Sequence, residues 1–209
     1  MPPCNTATRW ILFTGSENGQ WKIVIWENND DIRLIECANE KRTIQRHLNE
    51  CREERRPYVF VTNTMTVKTL RRLLVPVSML EEETYKAEIC TYLARKTGAH
   101  IILLQANDYG SHARQNVNRI VTHIRSVSER TGVEISYEVV LAKKDSFGLI
   151  REASERQRDF QHDLLILTAS RDYGLDDILF GPPERKAIQR ALVPVMLVNP
   201  REDLFSLCD

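Results

Sequence analysis

The chain has 209 residues, of which 42% are hydrophobic and 28% charged, and its 29 basic and 29 acidic side chains leave no formal net charge. Such a length holds one ordinary domain plus a fragment, or one larger domain, and the charge balance weighs against a nucleic-acid partner, which usually selects a basic excess. No apolar run approaches the ~20 residues that span a bilayer, and MPPCNTATRWILF lacks the basic and apolar regions of a signal peptide, so a cytoplasmic protein with no direct membrane insertion is expected.

Residues 10–14 and 21–26 are short apolar-rich runs separated by GSENGQ. Two glycines and an Asn-Gly pair in that loop predict a hairpin. Residues 31–38 alternate imperfectly and suit a third strand. Residues 40–56 predict a charged helix, with Ile44, His47, Leu48 and Cys51 on one face, ended by Pro57. YVFVT at 58–62 is a strand, and 63–70 is a polar connector.

From Arg71 the texture changes. Apolar runs at 73–77, 100–106 and 164–167, an alternating run at 133–142 and the Val-rich run at 193–198 predict five strands. Helices are expected between them at 81–97, 112–131, 146–161 and 184–192. Gly98 and Gly132 close the first two. Asp145 is placed as an N-cap, Phe147, Ile150, Ala153 and Phe160 as the apolar face, and Glu152, Glu155 and Arg156 as a solvated face. The strand–helix alternation gives an α/β fold, a parallel sheet covered by helices on both sides. Ligands in such sheets sit beyond the carboxyl ends of the strands, which points to the loop 168–181. Val193, Val195 and Leu197 alternate with Pro194, Met196 and Val198, so both faces of the last strand are apolar. As an edge it needs cover, from a second copy or from residues 58–62.

Four segments in order carry a family resemblance: RRLLVPVS from Arg71, AEICTYLARKTGAHIILLQA from Ala87, DLLILTAS from Asp163 and FGPPERKAIQRALVPVMLV from Phe180. Residues 71–200 resemble the universal stress protein domain. The resemblance implies a doubly wound, five-stranded parallel sheet of order 3-2-1-4-5, dimerisation often through the last strand, and, in one branch, ATP between strands one and four. Residues 1–70 then read either as a shortened first repeat, pairing with 71–200 as a pseudo-dimer, or as an unrelated α/β extension, and 201–209 as a tail. The family also occurs as cytosolic domains of cation transporters.

The ATP-binding branch uses three spaced glycines, a following Ser or Thr, and an aspartate after the first strand. Aligning Gly181 with the third glycine puts Arg171 and Thr168 at the other two, Pro182 at the hydroxyl position and Ser78 at the aspartate. Pro182 and Pro183 have no N–H to offer a phosphate, and Asp172, Asp176 and Asp177 make the loop acidic. The crevice is therefore assigned to Pro76, Val77, Ser78, Ala106, Thr168, Arg171 and Gly181, without ATP as a cofactor. The alternatives are a nucleotide-binding protein using a variant loop, with Arg171 and Gly181 as ligands, and a small-molecule sensor at the same crevice. The five cysteines form no CxxC pair, the five histidines no metal spacing, and no GxSxG or Walker A pattern occurs, so no catalytic residue and no metal ligand is assigned. The expectation is a non-enzymatic regulatory module acting by self-association, as a homodimer or pseudo-dimer, or through a protein partner, with a cation/proton antiporter as one possible context.

Overall fold

A computed structural model describes residues 12–14, 22–24, 32–51, 56–169 and 182–199. Strands β1 (Leu12–Thr14) and β2 (Lys22–Val24) pair antiparallel, as the Asn-Gly loop predicts. The remaining described strands form one sheet. They are β3 (Arg33–Cys37), β4 (Tyr58–Thr62), β5 (Arg72–Val77), β6 (His100–Gln105), β7 (Tyr137–Leu141), β8 (Leu164–Thr168) and β9 (Val195–Val198). Their order is β3-β4-β9-β8-β5-β6-β7. The stretch from β7 to β9 is the expected 3-2-1-4-5 order, and β3 and β4 extend it to seven strands.

The helices are α1 (Lys41–Cys51), α2 (Lys86–Thr97), α3 (His112–Thr131), α4 (Ser146–Glu155), α5 (Gln157–Phe160) and α6 (Pro183–Arg190). Each faces the sheet with an apolar stripe. Ile89 and Leu93 of α2 join Val117, Ile120 and Ile124 of α3 on one side. Ile44 and Leu48 of α1, Leu149 and Ala153 of α4, and Ala187 and Ile188 of α6 cover the other. Two covered faces explain why β5, β6, β8 and β9 are apolar without alternation. Gly98 (φ 71°) and Gly132 (φ 68°) close α2 and α3 in the left-handed region, and each N–H bonds the carbonyl four residues back. A side chain there is disfavoured.

Two predicted helices are broken. Residues 81–97 divide into a 3₁₀ turn, Glu81–Tyr85, and α2. In a 3₁₀ turn side chains three apart eclipse, and Glu83 falls over Lys86. Residues 146–161 divide at Arg156. Its guanidinium bonds Glu152 at 2.6 Å and Asp159 at 2.8 Å and lies 4.7 Å from the Phe160 ring centre.

The expected solvated face holds at Glu155, is only partly exposed at Arg156, and is corrected at Glu152. Glu152 is 5% exposed, and its carboxylate accepts the N–H groups of Lys143 (3.0 Å) and Lys144 (2.8 Å). Burial alone would raise the Glu152 carboxyl, but the Lys143 amide, Arg156 and the Lys144 amide together hold it below the ordinary glutamate range. Phe147 is also corrected: it is 88% exposed. The buried line runs through Leu149 and Ala153, and the Phe147–Ile150 spacing that suggested a core face lies about a third of a turn away.

The last strand has its cover. Tyr58, Val59 and Phe60 of β4 pair antiparallel with Leu197, Met196 and Val195 of β9. All six side chains are buried, and the Tyr58 and Phe60 rings meet edge to face at 5.9 Å. Val193, expected within this strand, is buried just before it.

Phe60→Ala removes a ring with no exposed surface from this seam, and an unfolding-free-energy loss of about 3–5 kcal/mol is expected in urea titrations. Leu141→Ala, at a 57% exposed position on edge strand β7, should fall within about 0.5 kcal/mol of the parent. Equal losses would contradict the β4–β9 seam.

His162 is 3% exposed. Burial, with the Arg72 guanidinium added, pushes its pKa down to about 4. The unfolded chain binds the proton at the ordinary value near 6.5. Stability should therefore be full above pH 6.5 and fall as pH drops towards 4, by up to roughly 3 kcal/mol. Urea midpoints from pH 7.5 to 4.5 should fall less steeply for His162→Leu than for the parent, and parallel slopes would refute the assignment.

Candidate functional site

The carboxyl ends of β5 and β8 open into a cleft of about 570 Å³. The strand order reverses here, with β6 on one side of β5 and β8 on the other, which is the ordinary binding position in a doubly wound sheet. Pro76, Ser78 and Thr168 line it. Val77 and Ala106 sit behind it in the core, joined by an Ala106 N–H bond to the Val77 carbonyl at 3.0 Å. Arg171 and Gly181, like most of the loop 168–181, lie outside the described residues. Sequence thus found the strand ends but not the groups that dominate the floor.

Those groups are Glu83 and Lys86. The Lys86 side chain is 1% exposed and its ammonium pairs with the Glu83 carboxylate. It also donates to the Pro76 carbonyl, at the end of β5. Glu83 in turn accepts from Ser78 Oγ (2.6 Å) and from Thr168 Oγ1 (3.0 Å). One carboxylate therefore ties the end of β5, the end of β8 and the start of α2 together. A buried charge is tolerated only when it is paired and its remaining hydrogen bonds are met, and these contacts meet that condition. A signal was present in the sequence. Lys86 stands at i relative to Ile89, Cys90 and Leu93 at i+3, i+4 and i+7, which puts a lysine on the buried stripe of α2.

The loop after β5 is stapled from two further elements. Asn116 of α3, 4% exposed, donates to the carbonyls of Ser78 (3.1 Å) and Leu80 (2.8 Å). Ser146, at the start of α4, accepts from the Met79 N–H at 2.8 Å and donates to Asp108. Asp145 accepts the Gly148 N–H at 3.0 Å and caps α4 as expected. Glu152 fixes the turn before this cap. Ser78, at the position where the ATP-binding branch has its aspartate, is thus engaged on both its hydroxyl and its carbonyl.

Across the cleft, α6 starts at Pro183 with Pro182 as its N-cap residue. Neither proline has an N–H, so the positions that would face a phosphate offer fewer donors. The rim is mixed: Leu80, 59% exposed, and Phe147, 88% exposed, line the cleft together with the exposed cations Arg151, Lys186 and Arg190. Cys90, buried in α2, is pushed up to about 12, by burial before any other cause, so it is no nucleophile. Among the described residues no group of three His, Cys, Asp or Glu side chains is placed to hold a metal ion. No helix among them is long and apolar enough to cross a membrane.

No family model and no curated protein matches the chain. Solved structures do. A universal stress protein from Archaeoglobus fulgidus superposes with a TM-score of 0.58 at 16% identity, over 84% of this chain and 63% of that chain. This chain therefore spans less than two thirds of that protein. A universal stress protein in complex with cAMP matches at TM-score 0.47 and 14% identity, over 63% of this chain and 98% of its own. An Arabidopsis thaliana universal stress protein family member with AMP bound matches at 0.38 and 17%, over 64% and 94%. The chain has the universal stress protein fold.

The floor of the cleft makes a double-mutant test. Lys86→Met leaves Glu83 buried without its cation, and Glu83→Gln leaves the ammonium without its anion; each should cost about 3–5 kcal/mol in chemical unfolding. The double variant Glu83→Gln/Lys86→Met should lose clearly less than the two single losses added. Additive losses would show that the pair does not act as a unit.

Proposed function

We propose that this chain is a non-enzymatic regulatory module with the universal stress protein fold, whose switch-point crevice is not used for ATP. It acts in the cytoplasm through association, with a protein partner or a further copy. The cytosolic domain of a cation/proton antiporter is one context of this kind. The observation that carries the reading is the crevice floor. Its cation is spent on Glu83 and the Pro76 carbonyl, and the Ser78 and Thr168 hydroxyls are spent on the same carboxylate. A triphosphate could reach the exposed Arg151, Lys186 and Arg190 at the rim, but would have to break this set before using Lys86. Thr168, in place of a glycine, adds a side chain where a backbone approach is needed. The exposed Leu80 and Phe147 at the rim support an apolar contact with a partner better than they support a nucleotide phosphate.

Isothermal titration calorimetry with ATP and with AMP, each with magnesium, tests the reading. No saturable heat is expected up to about 1 mM nucleotide, a binding free energy no stronger than roughly −4 kcal/mol. Micromolar binding that Thr168→Gly strengthens would overturn it in favour of the variant-loop nucleotide protein. Phosphate release above the buffer rate would overturn the non-enzymatic part.

A further inference from the structure

A second cleft lies at the other end of the sheet, where β5 and β8 begin. It has a volume of about 820 Å³. Four cationic side chains line it: Lys68, Arg71, Arg72 and Arg158. The one carboxylate among its lining residues, Asp163, is occupied by backbone. Its Oδ2 accepts the N–H groups of Arg71 (2.9 Å) and Arg72 (3.1 Å). Asp163 therefore fixes the start of β5, and the lining retains an excess of positive charge. Arg72 also reaches Glu138 of β7 at 3.3 Å, but across a pair that is 40% and 45% exposed, where an ion pair contributes little.

Three residues lining this cleft carry a buried polar atom without a partner: Arg72 at Nε, Gln157 at Oε1 and His162 at Nδ1. Buried polar atoms are normally bonded, so three in one place call for an explanation. His162 is the strongest of them, at 3% exposure. It follows Gln161, the one non-glycine residue with positive φ (49°) among those described. That turn closes α5 and starts the chain towards β8. The positive potential is felt at the ring, since Arg72 adds to burial in holding His162 deprotonated near neutrality. A neutral imidazole donates from Nδ1 in one tautomer, and Arg72 Nε is a donor as well.

We propose that this cleft binds the phosphoryl group of a small molecule. Lys68, Arg71, Arg72 and Arg158 supply the charge at the cleft surface, and Arg72 Nε, His162 Nδ1 and Gln157 Oε1, which lie just beneath it without partners, become hydrogen-bond partners of the ligand when their side chains turn towards it. A dianion fits the charge excess better than a single carboxylate does. The space exceeds that of phosphate alone, which favours a phosphate ester or diphosphate over the free ion. This site is separate from the crevice at the carboxyl ends of the strands, and stands or falls without it.

The test is a titration of the full chain with inorganic phosphate, pyrophosphate and glucose 6-phosphate at fixed ionic strength, followed by the histidine ring resonances in NMR. A saturable shift of the His162 signal is expected. Lys68→Ala/Arg158→Ala, which changes exposed side chains only, should weaken binding tenfold or more, while Lys186→Ala at the opposite cleft should not. If the ester or pyrophosphate binds at least tenfold tighter than phosphate, the ligand is a phosphorylated molecule; equal affinity for all three leaves the free ion as the ligand and overturns the preference for an ester. No saturable shift up to about 10 mM of any of the three, or an equal response in the double variant, would overturn the site itself.

Discussion

A buried ammonium must find oxygens, and in this chain that need decides what the crevice can be. Lys86 enters the sheet's switch point from the first turn of α2, where no water can solvate it. It takes the Pro76 carbonyl and the Glu83 carboxylate. Glu83 then recruits Ser78 and Thr168. The 3₁₀ turn that places Glu83 over Lys86, the stapling of residues 78–80 by Asn116 and Ser146, and the closure of β5 against β8 all serve the same electrostatic condition. Such a set costs desolvation to assemble and costs more to break partially. It holds the ends of β5 and β8 and the start of α2 to one another.

The fold was legible because it rests on patterns that repeat. Strand runs at 58–62, 73–77, 100–106 and 164–167 and the glycine stops at Gly98 and Gly132 correspond to observed elements. The site was legible only in part. Ser78 and Thr168 were found from family spacing, and both line the cleft. Glu83, Lys86, Asn116 and Glu152 were not. Charged and amide side chains are read as solvated unless something contradicts it, and the contradiction is tertiary. Glu152 is buried because two loop amides need an acceptor, a demand invisible in a helix periodicity. Phe147 shows the reverse error, a large apolar residue at a plausible spacing that the actual helix phase turns outward.

The two ends of the sheet carry opposite chemistries. At the carboxyl ends Glu83, Lys86, Ser78 and Thr168 satisfy one another. At the amino ends the cations outnumber the available anions and three buried polar atoms lack partners. A doubly wound sheet is usually read from its carboxyl end alone. In this chain the connector 63–71 and the short helix α5 build a second concave surface at the opposite ends of the strands.

The antiparallel seam between β4 and β9 has one more consequence. The edge through which two such sheets could be joined is filled from the same polypeptide, by a strand tethered through a nine-residue link, 63–71. A tether this short holds β4 near β9 at an effective concentration on the order of millimolar. A second copy approaching β9 competes against that figure rather than against open solvent. Exchange of β4 between two chains would recreate the same register without any new contact, so the seam fixes the geometry of a swapped pair before one forms.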